Sequence, residues 1–414
     1  MLVTKRTLLL LAACFVLQAC AVEEVITAEE TKLIVAEAAP DETLLLDIGV
    51  VEFAGGLAAD NDPLESGIYE EIRTAEVRYM PYHLKTTLQG TGHWGAVRVI
   101  PTPSAFTDII INGAIEQSDG EFVTLKISVG DSRGQPWYSK GYSTQTGISS
   151  YSVNRDRRED PYQKVFNDIA NDLQRYVEQL SAKDVQQIRQ VTELQFFADM
   201  SPSSYGEHLT ATEDGTVAIV RLPAENDPSV DRLRQIRERD RLVVDTLNEH
   251  YANFYYGIAI PYHSWRKTSR EESINYRQVK RAATMQTILG VVVIAGALAV
   301  DTDSSSSSKS RMNRGLQNIA IGEGFGTLME GITRRKEAGM HRESIKELSE
   351  SFGAEAAPMV VTVEGETRRL TGTAAAQYES WRRLLKQIYE AETGFVETAE
   401  TVDPGPVRIP EPAG

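Results

Sequence analysis

One acidic residue interrupts a stripe of apolar residues and is the first candidate for chemistry. Between Leu233 and Ile258 apolar side chains recur with helical spacing, and Asp240 falls on the same face. A carboxylate on a buried face is costly without a partner, and burial shifts its pKa toward the range that suits a general acid. The alternatives are a buried ion pair with Arg237, Arg241 or another helix, and a place at the helix edge. We expect one of these structural roles.

The sequence contains no motif that predicts a metal site or a cofactor site. The six histidines do not follow the spacing of zinc ligands, and Glu249-His250 stands in the reverse order of the metalloprotease motif. No G-x-S-x-G nucleophile elbow occurs. The stretch from Gly322 to Gly326, GEGFG, lacks the Lys-Ser/Thr pair and the preceding strand of a phosphate loop. We therefore predict no metal site, no cofactor and no catalytic residue.

Aromatic residues concentrate in one segment, HYANFYYGIAIPYHSW, residues 250–265. Such a composition is typical of surfaces that stack on sugars or lie at a membrane interface. A packed corner between two helices, with the second helix starting at Pro261, accounts for the same residues. We expect the corner.

The net charge argues against one class of partner. Among 414 residues, 43 are basic and 59 are acidic, which gives a formal charge of −16. A general nucleic-acid binder needs a basic surface for phosphate contact, so we expect no nucleic-acid partner. The length predicts two or three domains, since a domain takes roughly 150 residues.

The amino terminus has the layout of a secretory signal. Lys5 and Arg6 precede the short apolar run TLLLLAACFVLQAC, which ends in small residues. The last four letters, LQAC, resemble the lipobox of bacterial lipoproteins. That resemblance implies a signal peptide over residues 1–19, and acyl chains, palmitate among them, on Cys20.

Two alternatives to lipidation at Cys20 follow from the same segment. The stretch LAAC, ending at Cys14, also fits a lipobox but would leave a barely adequate apolar core, and an ordinary signal peptide with incidental cysteines is the other alternative. We favour Cys20.

In Gram-negative lipoproteins an Asp after the cysteine commonly signals inner-membrane retention, so Ala21 implies the outer membrane and a periplasm-facing protein.

Residues 20–42 are predicted to form a tether, and residues 43–180 an α+β domain. The expected order is a strand, a helix interrupted at Pro81, a strand, a three-stranded meander and a final helix. Asp119-Gly120 suits the first hairpin turn of the meander. Asp160-Pro161 suits an N-cap and a first-turn proline for the final helix.

This arrangement resembles a periplasmic domain shared by three groups of proteins. They are the curli-secretion lipoproteins, the amino-terminal domain of the Tol translocation protein and auxiliary lipoproteins of lipid transporters. A D-x-x-G-x-x-W turn at Asp131, Gly134 and Trp137 adds to the resemblance. The whole sequence also resembles uncharacterised proteobacterial outer-membrane lipoproteins.

A mainly helical domain is predicted over residues 181–283, opened by a capping box of Ser181 and Asp184. Residues 336–396 are predicted as a helix, a β-hairpin turning at Glu364-Gly365 and an amphipathic helix. The proline-rich residues 397–414 are expected to be disordered. The predicted fold is therefore α+β in the amino-terminal domain and mainly helical beyond it.

Residues 284–335 are predicted to form a helical hairpin around the run of serines. Its first arm contains the apolar stretch from Ile288 to Val300, and the second arm contains Glu323 and Glu330, which are unfit to face lipid. We weigh three alternatives: packing within the protein, insertion in a membrane alone or as an oligomer, and a disordered or partner-bound segment. Small residues at helical spacing would let the arms approach closely; they are Gly290, Gly296, Gly315, Gly322 and Gly326.

These observations predict a non-enzymatic outer-membrane lipoprotein that acts as a scaffold or assembly factor of an envelope or export complex. Its partners would be the membrane, through the acyl chains on Cys20, and other envelope proteins, with a homo-oligomer as a further possibility. The alternative is an envelope hydrolase acting on peptidoglycan or lipid, with Asp240 or Glu249 as the acid.

Overall fold

The structure, a computed structural model, describes most of the chain between residues 30 and 393. The described ranges are 30–56, 69–102, 107–152, 159–298, 359–363 and 366–393, with residues 340, 342–344, 346–347 and 350 of a further helix. Within 275–298 the description is of the backbone. The predicted signal peptide, Cys20, Gly315, Gly322, Gly326 and the predicted disordered tail lie outside the described residues.

A five-stranded mixed sheet forms the centre of the amino-terminal half, in the order β2-β1-β3-β4-β5. Strand β1 pairs in parallel with both β2 and β3, and β3, β4 and β5 form the predicted antiparallel meander. The strands are β1 (Ile48–Val51), β2 (Val97–Ile100), β3 (Ile109–Ser118), β4 (Phe122–Asp131) and β5 (Pro136–Gln145).

Alternation along β4 separates a buried face from a wetter one. Val123, Leu125, Ile127 and Val129 are almost fully buried, whereas the residues between them are half-buried. The turn before β4 contains Gly120 at φ +88°, which confirms the positive φ that the sequence predicts there.

Helix α1 (Glu70–Thr91) runs unbroken through Pro81. Pro81 has no N–H to donate to the carbonyl of Val77, which therefore needs another donor. The backbone N–H of Phe53, just after β1, donates to that carbonyl at 2.9 Å. The carbonyl of Val77, free of an intrahelical bond because of Pro81, thus binds the chain after β1 to the helix.

Helix α2 (Gln163–Val177) begins three residues after the predicted N-cap. Tyr162 is the N-cap, and Asp160 accepts from the backbone N–H of Tyr162 at 2.8 Å in the preceding turn. The prediction of Asp160 as N-cap is wrong because its carboxylate accepts hydrogen bonds from the buried Arg266. Helix α3 (Ala182–Met200) opens with the predicted capping box of Ser181 and Asp184.

The remaining elements are mainly helical. A short helix and a small hairpin follow α3, and the carboxy-terminal hairpin and helix agree with their predicted order. The elements are α4 (Pro202–Tyr205), β6 (Leu209–Ala211), β7 (Val217–Ile219), α5 (Pro228–Leu298), β8 (Met359–Val363), β9 (Glu366–Leu370) and α6 (Ala374–Thr393).

Helix α5 contains 71 residues and continues through Pro261, so the predicted corner at that proline is wrong. At 1.5 Å per residue a straight helix of this length spans about 107 Å. The carbonyl that Pro261 leaves without an intrahelical donor belongs to Gly257, which is exposed, so water can reach it. The proline therefore lies in the helix without ending it.

Two clusters of buried apolar residues hold these elements together. The first lies between the sheet, α1 and α2 and includes Phe254, Ile258, Tyr262 and Trp265 of α5. The second joins α3, the first part of α5 and α6. Helix α5 thus belongs to both cores. The five-stranded mixed sheet with helices, followed by a mainly helical region and a small hairpin plus helix, confirms the predicted α+β fold.

Across the ranges that the structure describes, no helix has both the length and the hydropathy needed to cross a membrane. Gly290 and Gly296 lie in the last turns of α5.

Candidate functional site

Asp240 lies on the buried face of α5, with 3% of its surface exposed. Its carboxylate accepts from the indole N–H of Trp381 at 3.1 Å and from the hydroxyl of Tyr378 at 3.3 Å, and it pairs with Arg382 at 3.4 Å. All three partners belong to α6. Burial raises the pKa of Asp240, and Arg382 opposes that rise. The ion pair is thus made with another helix, rather than with Arg237 or Arg241.

Arg382 links Asp240 to a second carboxylate. Its other terminal nitrogen donates to Asp199 at the end of α3, and the guanidinium lies 4.9 Å from the ring centre of Phe196. Lys386 pairs with the other oxygen of Asp199 at 3.0 Å. Asp240 therefore belongs to a charge network that joins α3, α5 and α6.

The other acid of the hydrolase alternative does not join this network. Glu249 is exposed, and the neighbouring His250 is half-buried, with a pKa lowered by burial. Among the residues that the structure describes, no three His, Cys, Asp or Glu side chains lie together as metal ligands.

Helix α5 covers the edge of the sheet through Asn248. The side-chain amide of Asn248 accepts from the backbone N–H of Val99 at 2.8 Å and donates to the carbonyl of the same residue at 3.0 Å. Val99 lies on β2, the edge strand, and is fully buried. Asp245, one turn earlier on α5, receives two hydrogen bonds from Arg98 at 2.6 and 3.0 Å. Helix α5 thus satisfies the backbone N–H and carbonyl of Val99 on the edge strand, which would otherwise be open to pairing with another strand.

Arg266, further along α5, forms the most deeply buried ion pair among the described side chains of this helix. It donates to the two oxygens of Asp160, each at 2.8 Å, and the two side chains are 2% and 4% exposed. The guanidinium also lies over the rings of Tyr262, at 4.2 Å, and Tyr162, at 4.9 Å. Burial opposes ionisation of Asp160, but Arg266 holds the pKa of that carboxyl well below its usual range.

Glu76 on α1 lies close to this pair and is fully buried. One of its oxygens accepts from Ser118 at 2.5 Å and from Tyr262 at 2.6 Å, and the other lies 3.3 Å from the guanidinium of Arg73. Burial raises the pKa of Glu76, against the attraction of Arg73. Glu76 therefore ties α1 both to the end of β3 and to α5.

His83 connects the same helix to α2. Its Nε2 donates to the amide oxygen of Gln163 at 2.9 Å, so in a neutral imidazole Nδ1 accepts from the hydroxyl of Tyr255 at 2.8 Å. The ring is 5% exposed, and burial lowers its pKa. Both ring nitrogens therefore have hydrogen-bond partners inside the protein, and burial disfavours the charged form of the ring.

We call four buried residues the α5 polar network: Arg266 and its partner Asp160, together with Glu76 and His83. It lies where α5 crosses α1, α2 and the turn before β4. A side chain at Gly120, in that turn, would collide with the carbonyl oxygen of Arg266. Charge pairing, aromatic contacts and a close backbone approach thus fix one position of α5 on the sheet domain.

The aromatic segment of α5 divides between two faces. Tyr251, Tyr262 and Trp265 are buried against the domain, whereas Tyr256 and Ile260 are 67% and 80% exposed. The concentration of aromatic residues in the sequence therefore reflects mainly the packing of one helical face.

The D-x-x-G-x-x-W motif forms the turn between β4 and β5. Asp131 accepts from the indole N–H of Trp137 at 3.0 Å and pairs with Arg133 at 2.7 Å, and Gly134 has φ +78°. The motif residues thus specify a turn in which a buried aspartate orients a tryptophan.

An open depression of about 220 Å³ lies beside the amino-terminal end of α5. Its lining contains neither Asp240 nor Glu249. The residues around it are Ser204, Tyr205, His208, Pro223, Ala224, Asp227, Ser229 and Tyr389.

The end of the predicted tether is part of the folded domain. Asn167 donates to the carbonyl of Thr31 at 2.7 Å, and Asn171 binds the backbone of residues 32 and 34 at 2.9 and 2.8 Å. The N–H of Ala36 then donates to the carbonyl of Thr91, at the end of α1, at 2.8 Å. Residues 31–36 are therefore bound to α2 and to the end of α1.

Sequence reasoning identified Asp240 but missed Arg266, Glu76 and Asn248. Arg266 lies four residues after Tyr262 and continues the buried stripe of α5. That signal becomes visible only if the helix is extended through Pro261. Glu76 has the same kind of signal, because it lies four residues after Ile72 on the buried face of α1.

Comparisons with known proteins found no matching family model, no matching curated protein and no matching solved structure.

Proposed function

We propose that this protein is a lipid-anchored outer-membrane lipoprotein that faces the periplasm and acts as a non-enzymatic scaffold or assembly factor of an envelope complex. The lipobox resemblance at Cys20 and the resemblance of residues 44–180 to periplasmic lipoprotein domains motivate the location. The partners would be envelope proteins, and a homo-oligomer fits the same role.

One observation carries the scaffold proposal: α5 is fastened to the domain by buried charges, and its backbone stays helical as far as Leu298. Arg270 donates to the carbonyl of Thr146 at 3.4 Å, close to the turn region of the sheet. From Arg270 to Leu298 the helix rises by about 42 Å more. A long helix held on a folded base suits a protein that positions partners.

The buried groups support a structural role rather than catalysis. Asp240, Glu76 and Asp160 each pair with an arginine inside the protein and make further hydrogen bonds there. A general acid must reach its substrate within hydrogen-bond distance. Each of these carboxyl groups would have to lose several hydrogen-bond partners before it could reach a substrate.

The anchoring is tested by replacing Cys20 with Ala and separating membrane from soluble fractions. We expect the C20A chain to become soluble when residues 284–332 are also deleted, and C14A to stay in the membrane fraction. Retention of the C20A deletion variant in the membrane fraction would contradict anchoring through acyl chains.

The scaffold role is tested by cross-linking and purification of the complex from detergent-solubilised membranes, with full-length protein and with the 284–332 deletion. We expect the same envelope proteins to be recovered repeatedly with the full chain and lost from the deletion variant. Digestion of labelled sacculi by purified protein, abolished by Asp240→Asn, would instead favour the hydrolase alternative.

A further inference from the structure

The two edges of the five-stranded sheet differ in what covers them. Strand β2 at one edge is covered by α5, whose Asn248 binds the backbone of Val99. Strand β5 forms the other edge, and α2 lies against one face of it, where Tyr142 donates to Asp172 at 3.0 Å. An edge strand of ten residues presents a row of backbone donors and acceptors to another strand.

The register of the sheet shows which backbone groups of β5 point outward. The N–H of Thr146 donates to the carbonyl of Glu121 at 2.7 Å, and the next pair along the ladder is Phe122 with Gln145. Hydrogen-bonded and non-hydrogen-bonded pairs alternate along an antiparallel ladder, so every second residue back from Gln145 turns its N–H and carbonyl away from β4. These residues include Ser143, Gly141 and Ser139.

The outward backbone groups of Ser139, Gly141 and Ser143 are accessible. All three residues are exposed, and no residue in the described ranges makes a hydrogen bond to these groups. The hydroxyls of Ser139 and Ser128 lie 2.9 Å apart, as expected for the closer side chains of a non-hydrogen-bonded pair. A Cβ added at Gly141 would meet no atom within 4 Å, so another backbone can approach β5 here.

We infer that β5 pairs in antiparallel orientation with β5 of a second copy of this chain, around a two-fold axis at Gly141. In this register Ser139 of each copy lies opposite Ser143 of the other, and the outward groups form about six backbone hydrogen bonds. The two sheets become one continuous sheet. This pairing supplies the contact for a homo-oligomer, and its purpose rests on the proposed scaffold function.

The single charge of β5 favours this register. Lys140 is the only charged residue between Pro136 and Gln145, and its Nζ already pairs with Asp172 on α2 at 2.5 Å. An axis at Gly141 sets Lys140 opposite Tyr142 of the second copy, and Nζ already lies 4.9 Å from the ring centre of Tyr142 in its own chain. An axis at Lys140 would instead place two like charges directly opposite each other.

The other side chains near the axis also suit a second copy. Ser139 and Ser143 carry hydroxyls that can hydrogen-bond to each other across the pair, and Gly141 places no side chain at the axis. A strongly charged partner strand would meet no complementary row of charges on this edge. A second copy presents the same nearly uncharged edge, so the pairing is self-complementary.

Cross-linking of the full chain in detergent tests this contact. With Cys14→Ala and Cys20→Ala the chain contains no cysteine, so Gly141→Cys introduces a single thiol at the axis. Directly opposite residues have Cβ atoms about 4.5–5.5 Å apart, within reach of a short bifunctional thiol reagent. Gln235→Cys, at an exposed position of α5, is the matched control. We expect a cross-linked dimer from Gly141→Cys and only the collisional background from Gln235→Cys.

An exchange of charge separates specific pairing from a loss of folding. S139D with S143D, and S139K with S143K, each added to the Gly141→Cys chain, place like charges opposite each other in the paired edge. We expect the yield of dimer to fall about tenfold for each variant alone. It should return in an equal mixture of the two, where opposite charges meet. Urea denaturation followed by circular dichroism checks that each variant is folded.

Two results would overturn the inference. One is a yield at residue 141 no higher than at residue 235 in folded protein, which is also the result expected if the edge takes a strand of another protein. The other is a yield that the added charges do not change or that the mixture does not restore. Neither result alters the membrane fractionation or the recovery of envelope proteins, so failure of the proposed function is distinguishable from failure of this pairing.

Discussion

Arg266 and Asp160 are 106 residues apart in the sequence, and each oxygen of the carboxylate accepts one hydrogen bond from the guanidinium. The pair holds α5 on the sheet domain at the turn that precedes α2. Because both side chains are almost fully buried, its energetic role differs from that of a surface ion pair.

Removal of Arg266 should destabilise the fold strongly. Arg266→Ala leaves a buried carboxylate without its partner, and we expect the free energy of unfolding to fall by about 3–5 kcal/mol. Urea denaturation followed by circular dichroism measures this loss, with Asp160→Asn as the reciprocal variant.

The matched control for that experiment is Arg221→Ala. Arg221 pairs with Glu207 at 3.5 Å on the surface, where the side chains are 59% and 87% exposed. We expect a loss below about 1 kcal/mol for this variant. Similar losses at Arg221 and Arg266 would show that the buried pair has no special role.

The lowered pKa of His83 predicts a pH dependence of stability. Because the pKa of His83 is lowered in the folded protein, the unfolded chain binds more protons as the pH falls through its usual value of about 6.5. His83 should therefore lower the free energy of unfolding below about pH 7, by up to about 1.4 kcal/mol for each pH unit.

His83→Gln should remove this contribution. Its unfolding free energy, measured by urea denaturation between about pH 5 and 8, should depend less steeply on pH than that of the wild type. Asn253→Ala, at an exposed position of α5 without a titratable group, should leave the wild-type slope unchanged. An identical slope in the His83 variant would contradict a lowered pKa of His83 in the folded protein.

Asn248→Ala should destabilise the protein, because it removes the hydrogen bonds to the backbone of Val99 on the edge strand. The variant leaves both the N–H and the carbonyl of Val99 without the side-chain amide that binds them, and Val99 is fully buried. We expect a loss of about 2–4 kcal/mol and faster hydrogen exchange at the amide of Val99.

Asn253→Ala is the control for the edge, since Asn253 lies on the exposed face of the same helix. It should change stability by less than about 0.5 kcal/mol. Protection of the Val99 amide that survives in the Asn248 variant would argue against its pairing with α5.

Gly120→Ala should disturb the contact between the turn and α5. Gly120 has φ +88°, and an added Cβ would meet the backbone of Arg266, which cannot move as a flexible side chain can. We expect a loss of about 2–4 kcal/mol by thermal or urea denaturation, from the positive φ and the forced displacement together.

Gly141→Ala provides the comparison within the sheet. Gly141 lies on β5, has no atom within 4 Å of an added Cβ and should tolerate the substitution with little loss. A tolerant Gly120 together with a sensitive Gly141 would contradict the close approach of α5 to the turn.

The sequence by itself determined the order of the strands and helices in the amino-terminal half and the buried face of β4. It also identified the capping box at Ser181 and the turn at Asp131. These features depend on periodicity and on contacts between near neighbours, which a local pattern encodes. Asp240 was also identified in this way, because it interrupts an apolar stripe.

Only the tertiary structure decided which partners the buried charges have. Asp240 pairs with Arg382, and Asp160 pairs with Arg266, over separations that no local pattern specifies. The continuity of α5 through Pro261 was decided in the same way, because packing of one helical face against two cores outweighs the local preference of proline to begin a helix. A single sequence gives the cost of a buried charge or a helical proline, but the compensating contacts come from distant parts of the chain.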